Sequence, residues 1–355
     1  MSTWLLVLAG GSGTRFWPRS RANFPKQLMP IVGEKALLNV TLERFQGVVD
    51  ISRQVVLTTK ALEPAVQKSL LGSKVTLLCE PEARNTAPCI VMAMEWIRAK
   101  DPAAVVILVP ADHWITDLPE YLRVMKLAVD AASKTPHLYT IGIQPTKAET
   151  GYGYIRCGDR LSEEIFSVDR FVEKPSKEVA ETMVQSPEYL WNAGMFVWSI
   201  ASFFHELSSA APEYEKIFSG YRAELSQKKS GELALSTEFA KAPAISIDYA
   251  LLEKSKMVAV VPGQKFGWND LGSFASLDEV YPPVEGGVAR AAQVLAVDSV
   301  ANVIDCPGKT VALLGVTDMI IVDTGDVILV AAKERAQEVK QFVERLKKNG
   351  QKGLI

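Results

Sequence analysis

Paired cysteines, charge of one sign and long apolar runs are all scarce in this chain, and each shortage removes a class of protein. The four cysteines (Cys79, Cys89, Cys157, Cys306) are scattered through 355 residues without C-x-x-C spacing, which argues against both a disulfide framework and a zinc site. They read as buried thiols. The formal charge is only −2, with 39 basic and 41 acidic residues, and the two signs are interspersed. Neither a nucleic-acid groove nor an anionic membrane surface is expected from that balance. No apolar stretch reaches the length of a membrane span, and the N-terminus enters a strand pattern without a basic leader, so a cytoplasmic protein with no membrane partner is expected. Low-complexity segments and long disordered linkers are missing too.

What is present begins at Leu6-Val-Leu-Ala-Gly-Gly-Ser-Gly-Thr-Arg15, followed by Pro25-Lys26. An apolar strand that runs straight into three glycines brings bare backbone N–H groups up to an anion, most often a phosphate. A P-loop would close on Gly-Lys-Ser/Thr, whereas Gly13 is followed by Thr14 and Arg15. A dinucleotide turn needs a third glycine where Phe16 stands, and the strand at Val55 to Thr59 does not end in a ribose-binding acid. The remaining reading is a glycine loop whose phosphate charge is met by Arg15 and Lys26. A plain strand-to-helix turn is the alternative.

Strand-like runs at Leu5–Leu8, Val55–Thr58, Val75–Leu78, Val105–Val109 and Leu138–Ile143 alternate with helical patterns at Leu37–Phe45, Leu62–Leu71, Ala87–Ala99 and Tyr121–Ala132. That alternation predicts an α/β fold, a Rossmann-like, mostly parallel mixed sheet with helices on both faces. After Gln144, glycine- and aromatic-rich pieces suggest a second lobe across a cleft. From Pro282 onward, short apolar runs predict a small β-rich, β-helix-like domain that ends in a helix over Lys333–Asn349. The expected division is residues 1–281, split into a nucleotide lobe (1–144) and a sugar-phosphate lobe (145–281), and residues 282–355.

Several polar residues punctuate this pattern. Asp112, just past a buried strand, suits Mg²⁺, which takes one or two carboxylates plus phosphate oxygens; Asp270, between Gly267 and Gly272, could be a second ligand. Both also read as turn or cap residues. Glu80 could accept two hydrogen bonds from the N1–H and N2–H₂ edge of guanine, with Asn85 and Thr86 beside it, although capping of the next helix explains the same letters. Glu173, Lys174 and Asn192 could hold a sugar phosphate. Tyr152 and Tyr154, flanking Gly153, could frame it or pack in a core.

In order along nearly the whole chain, Leu8-Ala-Gly-Gly-Ser-Gly-Thr-Arg-Phe-Trp-Pro18, Phe24-Pro-Lys-Gln27, Glu80-Pro-Glu, Asn85-Thr-Ala-Pro88, Pro110-Ala-Asp-His113, Glu149-Thr-Gly-Tyr-Gly-Tyr-Ile155, Phe171-Val-Glu-Lys-Pro175, Trp191-Asn-Ala-Gly-Met195 and Ser246-Ile-Asp-Tyr-Ala250 resemble the motifs of the sugar-phosphate nucleotidylyltransferases. The resemblance implies the nucleotide-diphospho-sugar transferase fold and, through Glu80 and the Asn85 run, its guanylyl branch: transfer of GMP from GTP to mannose 1-phosphate with Mg²⁺. Leu8, Ala9, Gly10, Gly11, Gly13 and Arg15 would then cradle the triphosphate, with Lys26 at the reacting phosphates and Asp112 and Asp270 on the metal. Glu80, Asn85 and Thr86 would frame guanine, while Gly153, Glu173, Lys174 and Asn192 would receive the sugar phosphate. Arg15, Lys26, Asp112 and Asp270 would form the catalytic set. Arg19 stands where the family commonly has leucine, Ala193 where it has serine, and Asn269-Asp270-Leu271 where it has Ser-Asp-Val. Many bacterial relatives add a phosphomannose isomerase domain, for which this chain is too short, so a single activity is expected. The apolar pieces after Pro282 could serve a homodimer. The competing readings are the same chemistry on dTTP or UTP with glucose 1-phosphate, and a non-catalytic sugar-nucleotide-binding regulator.

Overall fold

The computed structural model describes residues 1–263 and 266–355. Strand β1 (Thr3–Leu8) sends Trp4 and Leu6 to one side and Leu5 and Val7 to the other, and all four are buried. A strand apolar on both faces needs a cover on each. The helices Leu37–Arg44 and Leu118–Ala132 cover the Leu5 face, and Thr86–Lys100 and Ile200–Ala210 cover the Trp4 face.

The other strands of this part are β2 (Gln54–Thr59), β3 (Thr76–Glu80), β4 (Val105–Pro110), the short β5 (Trp114–Ile115), β6 (Leu138–Ile143), β7 (Gly153–Ser162), β8 (Ile165–Glu173), β9 (Tyr189–Ser199), β10 (Val258–Pro262) and the short β11 (Trp268–Asn269). Among the described residues, β1 and eight of these form one nine-stranded sheet in the order β3-β2-β1-β4-β9-β6-β10-β8-β7, with β7 also paired to β9, while β5 and β11 pair separately. The first four strands are parallel, as their alternation with helices predicts. The glycine- and aromatic-rich pieces of the second half do not build a sheet of their own. Instead β9 inserts antiparallel between β4 and β6. The consequence for function is geometric. The carboxyl ends of β1, β2, β3 and β4 share one edge with the Asn192–Gly194 stretch of β9, which runs the opposite way.

The last part holds β12 (Pro283–Val284), β13 (Gly287–Val297), β14 (Asn302–Leu314), β15 (Met319–Asp323) and β16 (Ile328–Ala332) in sequence order, parallel through β13-β14-β15. The expected terminal helix begins as a tight 3₁₀ stretch, Lys333–Val339, and becomes α-helical only over Lys340–Lys348. Ala336, Val339 and Val343 are buried along it, and Leu346 is half-buried. They pack with Phe16, Trp17, Met29 and Ile31 of the segment after the glycine loop. That segment is therefore gripped from behind by the last part of the chain.

Candidate active site

At the shared strand edge lies a cavity of about 520 Å³, lined at one end by Leu8, Gly10 and Gly11 and at the other by Gly153, Glu173 and Asn192. The glycine loop is held by side chains behind it. Gln27 Nε2 donates to the carbonyls of Ala9 (2.8 Å) and Gly11 (3.0 Å), and Thr58 Oγ1 donates to Ala9 as well (2.9 Å). Gly13 has φ of +60°, and a Cβ there would stand 2.7 Å from Lys26 Cβ and 2.8 Å from Lys26 N. Only glycine allows this approach.

Lys26 is buried, with its Nζ 2.8 Å from Asp112 Oδ2 and donating to the Asp270 carbonyl at 2.6 Å. Burial alone would raise the pKa of Asp112, but Lys26 and His113 beside it hold the carboxyl below its ordinary range. Asp270 accepts from the Tyr152 hydroxyl at 2.5 Å and from Gly272 N at 3.0 Å. Three residues separated by as many as 244 positions thus meet at one point, and both carboxylates line the cavity. His113 lies beside them. Its Nδ1 faces Trp268 Nε1 at 3.1 Å, and burial pushes its pKa down to about 4, so it stays neutral near pH 7.

Glu80 closes β3 and is 5 % exposed. Its Oε2 has no hydrogen-bond partner among the described residues, and burial pushes its pKa up to about 7. An unmade bond on a buried carboxylate is costly, which makes it informative. Asn85 and Thr86 line the cavity next to it and also serve the fold. Asn85 Oδ1 caps Thr86–Lys100 by accepting from Thr86 N (2.9 Å), and Thr86 Oγ1 accepts from Ile247 N (2.9 Å).

At the opposite end Gly153 pairs with Glu173 across β7 and β8. Glu173 is ion-paired with Lys174, whose side chain is exposed. Asn192 donates from Nδ2 to Asp248 Oδ1 (2.9 Å) and accepts from Thr140 Oγ1 (3.0 Å) and Gly194 N (3.2 Å). Asp248 is a site residue to which the sequence reading gave no role. Burial and the neighbouring Glu173 charge push its pKa up to about 6.

The structure therefore gathers Leu8, Gly10, Gly11, Glu80, Asn85, Thr86, Asp112, Gly153, Glu173, Asn192 and Asp270 around one cavity, with Lys26 bonded to two of them. Ala9 sits behind the loop, Gly13 underlies Lys26, and Lys174 and the exposed Arg15 lie outside the lining. Missed by the letters were Gln27 as a loop staple and Asp248 as the partner of Asn192.

Residues 5–285 match the family model described as nucleotidyl transferase. The chain belongs to the nucleotidyl transferase family. It is an enzyme of that type, and residues 292–346 match the mannose-phosphate isomerase/GMP-like β-helix domain. Among its nucleotidyl transferase relatives is the mannose-1-phosphate guanylyltransferase of Klebsiella pneumoniae, 35 % identical over 97 % of this chain and 74 % of that protein. The xanthan biosynthesis protein XanB of Xanthomonas campestris pv. campestris is 37 % identical over 97 % and 73 %. A solved structure from Thermus thermophilus, named mannose-1-phosphate geranyltransferase, superposes with a TM-score of 0.87 at 32 % identity, covering 98 % of this chain and all of the other. Among the described residues no helix is long and apolar enough to cross a membrane.

Proposed function

We propose that this nucleotidyl transferase moves the GMP unit of GTP onto α-D-mannose 1-phosphate. A phosphate oxygen of the sugar phosphate attacks the α-phosphorus in line, the bond from that phosphorus to the β-phosphate bridging oxygen breaks, and pyrophosphate leaves. The observation that carries the guanine assignment is Glu80, a buried carboxylate that faces the cavity with one oxygen unpaired. Ionised, it accepts from both N1–H and N2–H₂ of guanine, a donor pair that adenine does not present.

No nucleophilic side chain is required, because the attacking group is already an anion. The protein's task is positioning and charge neutralisation. Gly10 and Gly11 offer backbone to the triphosphate, Lys26 meets the reacting phosphates, and Arg15, exposed at the rim, reaches the outer ones. Gly153, Glu173 and Asn192 receive the sugar, with Asp248 fixing the amide of Asn192, while Lys174 takes its phosphate. Asp112 and Asp270 fit Mg²⁺ by their chemistry, as two carboxylates that line the same cavity. That is the ligand set of an ion that keeps water and phosphate oxygens for its other positions. Bound there, Mg²⁺ supplies charge neutralisation of the phosphates. Lys26 pairs with Asp112 at 2.8 Å.

We place the division of the chain at residue 282, with the glycine-loop end of the catalytic part serving nucleotide and the β7–β9 end serving sugar. The test is a panel of nucleoside triphosphates and sugar 1-phosphates with Mg²⁺, reading pyrophosphate and the nucleotide sugar. GTP with mannose 1-phosphate is expected to exceed every other pair. Equal or better turnover of dTTP or UTP with glucose 1-phosphate would reject the assignment.

A further inference from the structure

A second cavity, about 550 Å³, lies on the back of the loop that carries Lys26, where that loop meets the C-terminal sheet. Its walls bring together Arg19, Arg21 and Arg290 with Phe24 and a single lining acid, Asp326. Behind them Asp305, 1 % exposed, is shared by two guanidinium groups. Arg19 reaches it through Nε (2.7 Å) and Nη2 (3.0 Å), and Arg290 through Nε (2.7 Å). Arg290 Nη1 also donates to the Pro30 carbonyl at 2.7 Å.

Two cations on one carboxylate leave a net positive charge. Arg19 Nη1 and Arg290 Nη2 have no hydrogen-bond partner among the described residues. Arg21 is balanced separately, by Asp326 at 2.9 Å and by the Leu354 carbonyl at 2.5 Å. Because Asp305 already fixes Arg19 and Arg290, an anion would meet forks that are held in place, which lowers the ordering cost of binding. Beside them Phe24 is 42 % exposed, presented by a tight turn in which Arg21 and Phe24 exchange backbone hydrogen bonds (3.0 Å each). Met29, Pro30 and Pro307 complete an apolar wall.

We propose that this cavity binds a nucleoside diphosphate group, its diphosphate on Arg19 and Arg290 and its base against Phe24. The shared chemistry is the diphosphate, which free pyrophosphate also carries. The site is independent of the catalytic cavity, although both sit on one loop.

The experiment counts GDP sites by titration calorimetry on the full chain, with thermal melts of each variant as a folding control. Arg19→Leu is expected to remove one GDP site per chain or weaken it at least about tenfold, as for the loss of a charge-assisted bond. This loss is counted whether or not the catalytic cavity also binds GDP: two sites falling to one and one falling to none both support the proposal. Phe24→Ala, at an exposed ring, should weaken GDP at that site while leaving pyrophosphate binding there unchanged. Equal site counts and affinities in wild type, Arg19→Leu and Phe24→Ala would overturn the proposal, as would a count of pyrophosphate sites per chain that Arg19→Leu leaves unchanged.

Discussion

The two ends of the nucleotide half of the catalytic cavity solve opposite electrostatic problems. At the reaction end every charge already has a partner: Lys26 is paired with Asp112 and bonded to the Asp270 carbonyl, and Asp270 accepts from Tyr152. At the base end Glu80 is buried with an oxygen unpaired and a pKa pushed up to about 7. Ligand specificity is therefore gained at the unmet carboxylate rather than at the balanced cluster. A balanced cluster can trade internal partners for phosphates and metal at little net cost, whereas an unmet carboxylate rewards only a ligand that brings donors.

Breaking the balanced end should have the largest effect. Lys26→Ala leaves Asp112 without its cation, and Asp112→Ala removes a metal candidate, so each should lower kcat by on the order of 10²-fold or more, as for lost charge stabilisation in the transition state. Steady-state pyrophosphate release reads this directly, and near wild-type turnover in either variant would deny the cluster its role. Next comes Gly13→Ala, which forces a Cβ to 2.7 Å from Lys26 Cβ at a φ of +60°. Displacing that lysine should reduce kcat by about tenfold or more, with the thermal melt separating strain from unfolding.

Sharpening the unmet end takes a subtler change. Glu80 carries a folded pKa of about 7 against an ordinary 4.5, so the native state keeps a proton that the unfolded chain releases between those pH values. Its contribution to stability therefore falls as pH rises through that window. Glu80→Gln should melt above wild type at pH 8, with the gap closing toward pH 5. The smallest effect is expected at the sugar end. Asp248→Asn keeps a hydrogen-bonding partner for Asn192 and removes the repulsion with Glu173, so KM for mannose 1-phosphate should shift by roughly threefold, on the scale of one modest hydrogen bond, with kcat preserved. A kcat loss as large as that of Lys26→Ala would place Asp248 in the chemistry instead.

Much of this site was legible in the letters, and the reason is local. An apolar strand running into Gly10, Gly11 and Gly13 specifies a close backbone approach by itself, and Glu80 and Asp112 fall just where buried strands stop. The β1–β4 alternation was equally readable. What the letters withheld is whatever depends on chain crossing. Nothing around Trp191 announces that β9 will run antiparallel between β4 and β6, and that insertion is what carries Asn192 to the nucleotide edge. The meeting of Lys26 with Asp270 across 244 positions is likewise a product of topology. Arg15 sits in the 3₁₀ turn Thr14–Phe16, which buries Phe16 and leaves the guanidinium exposed.

Guanine recognition by the Glu80 carboxylate is read out by the ratio of kcat/KM for GTP to that for ATP, with mannose 1-phosphate, across about pH 5.5 to 8.5 in wild type and Glu80→Gln. Triphosphate ionisation cancels in that ratio, because both nucleotides carry the same chain. The wild-type ratio should fall as pH drops through about 7, the pKa to which burial pushes Glu80, and the ratio in Glu80→Gln should be roughly 10-fold to 100-fold lower at high pH and flat. A wild-type ratio independent of pH, together with undiminished discrimination in Glu80→Gln, would contradict guanine recognition by Glu80.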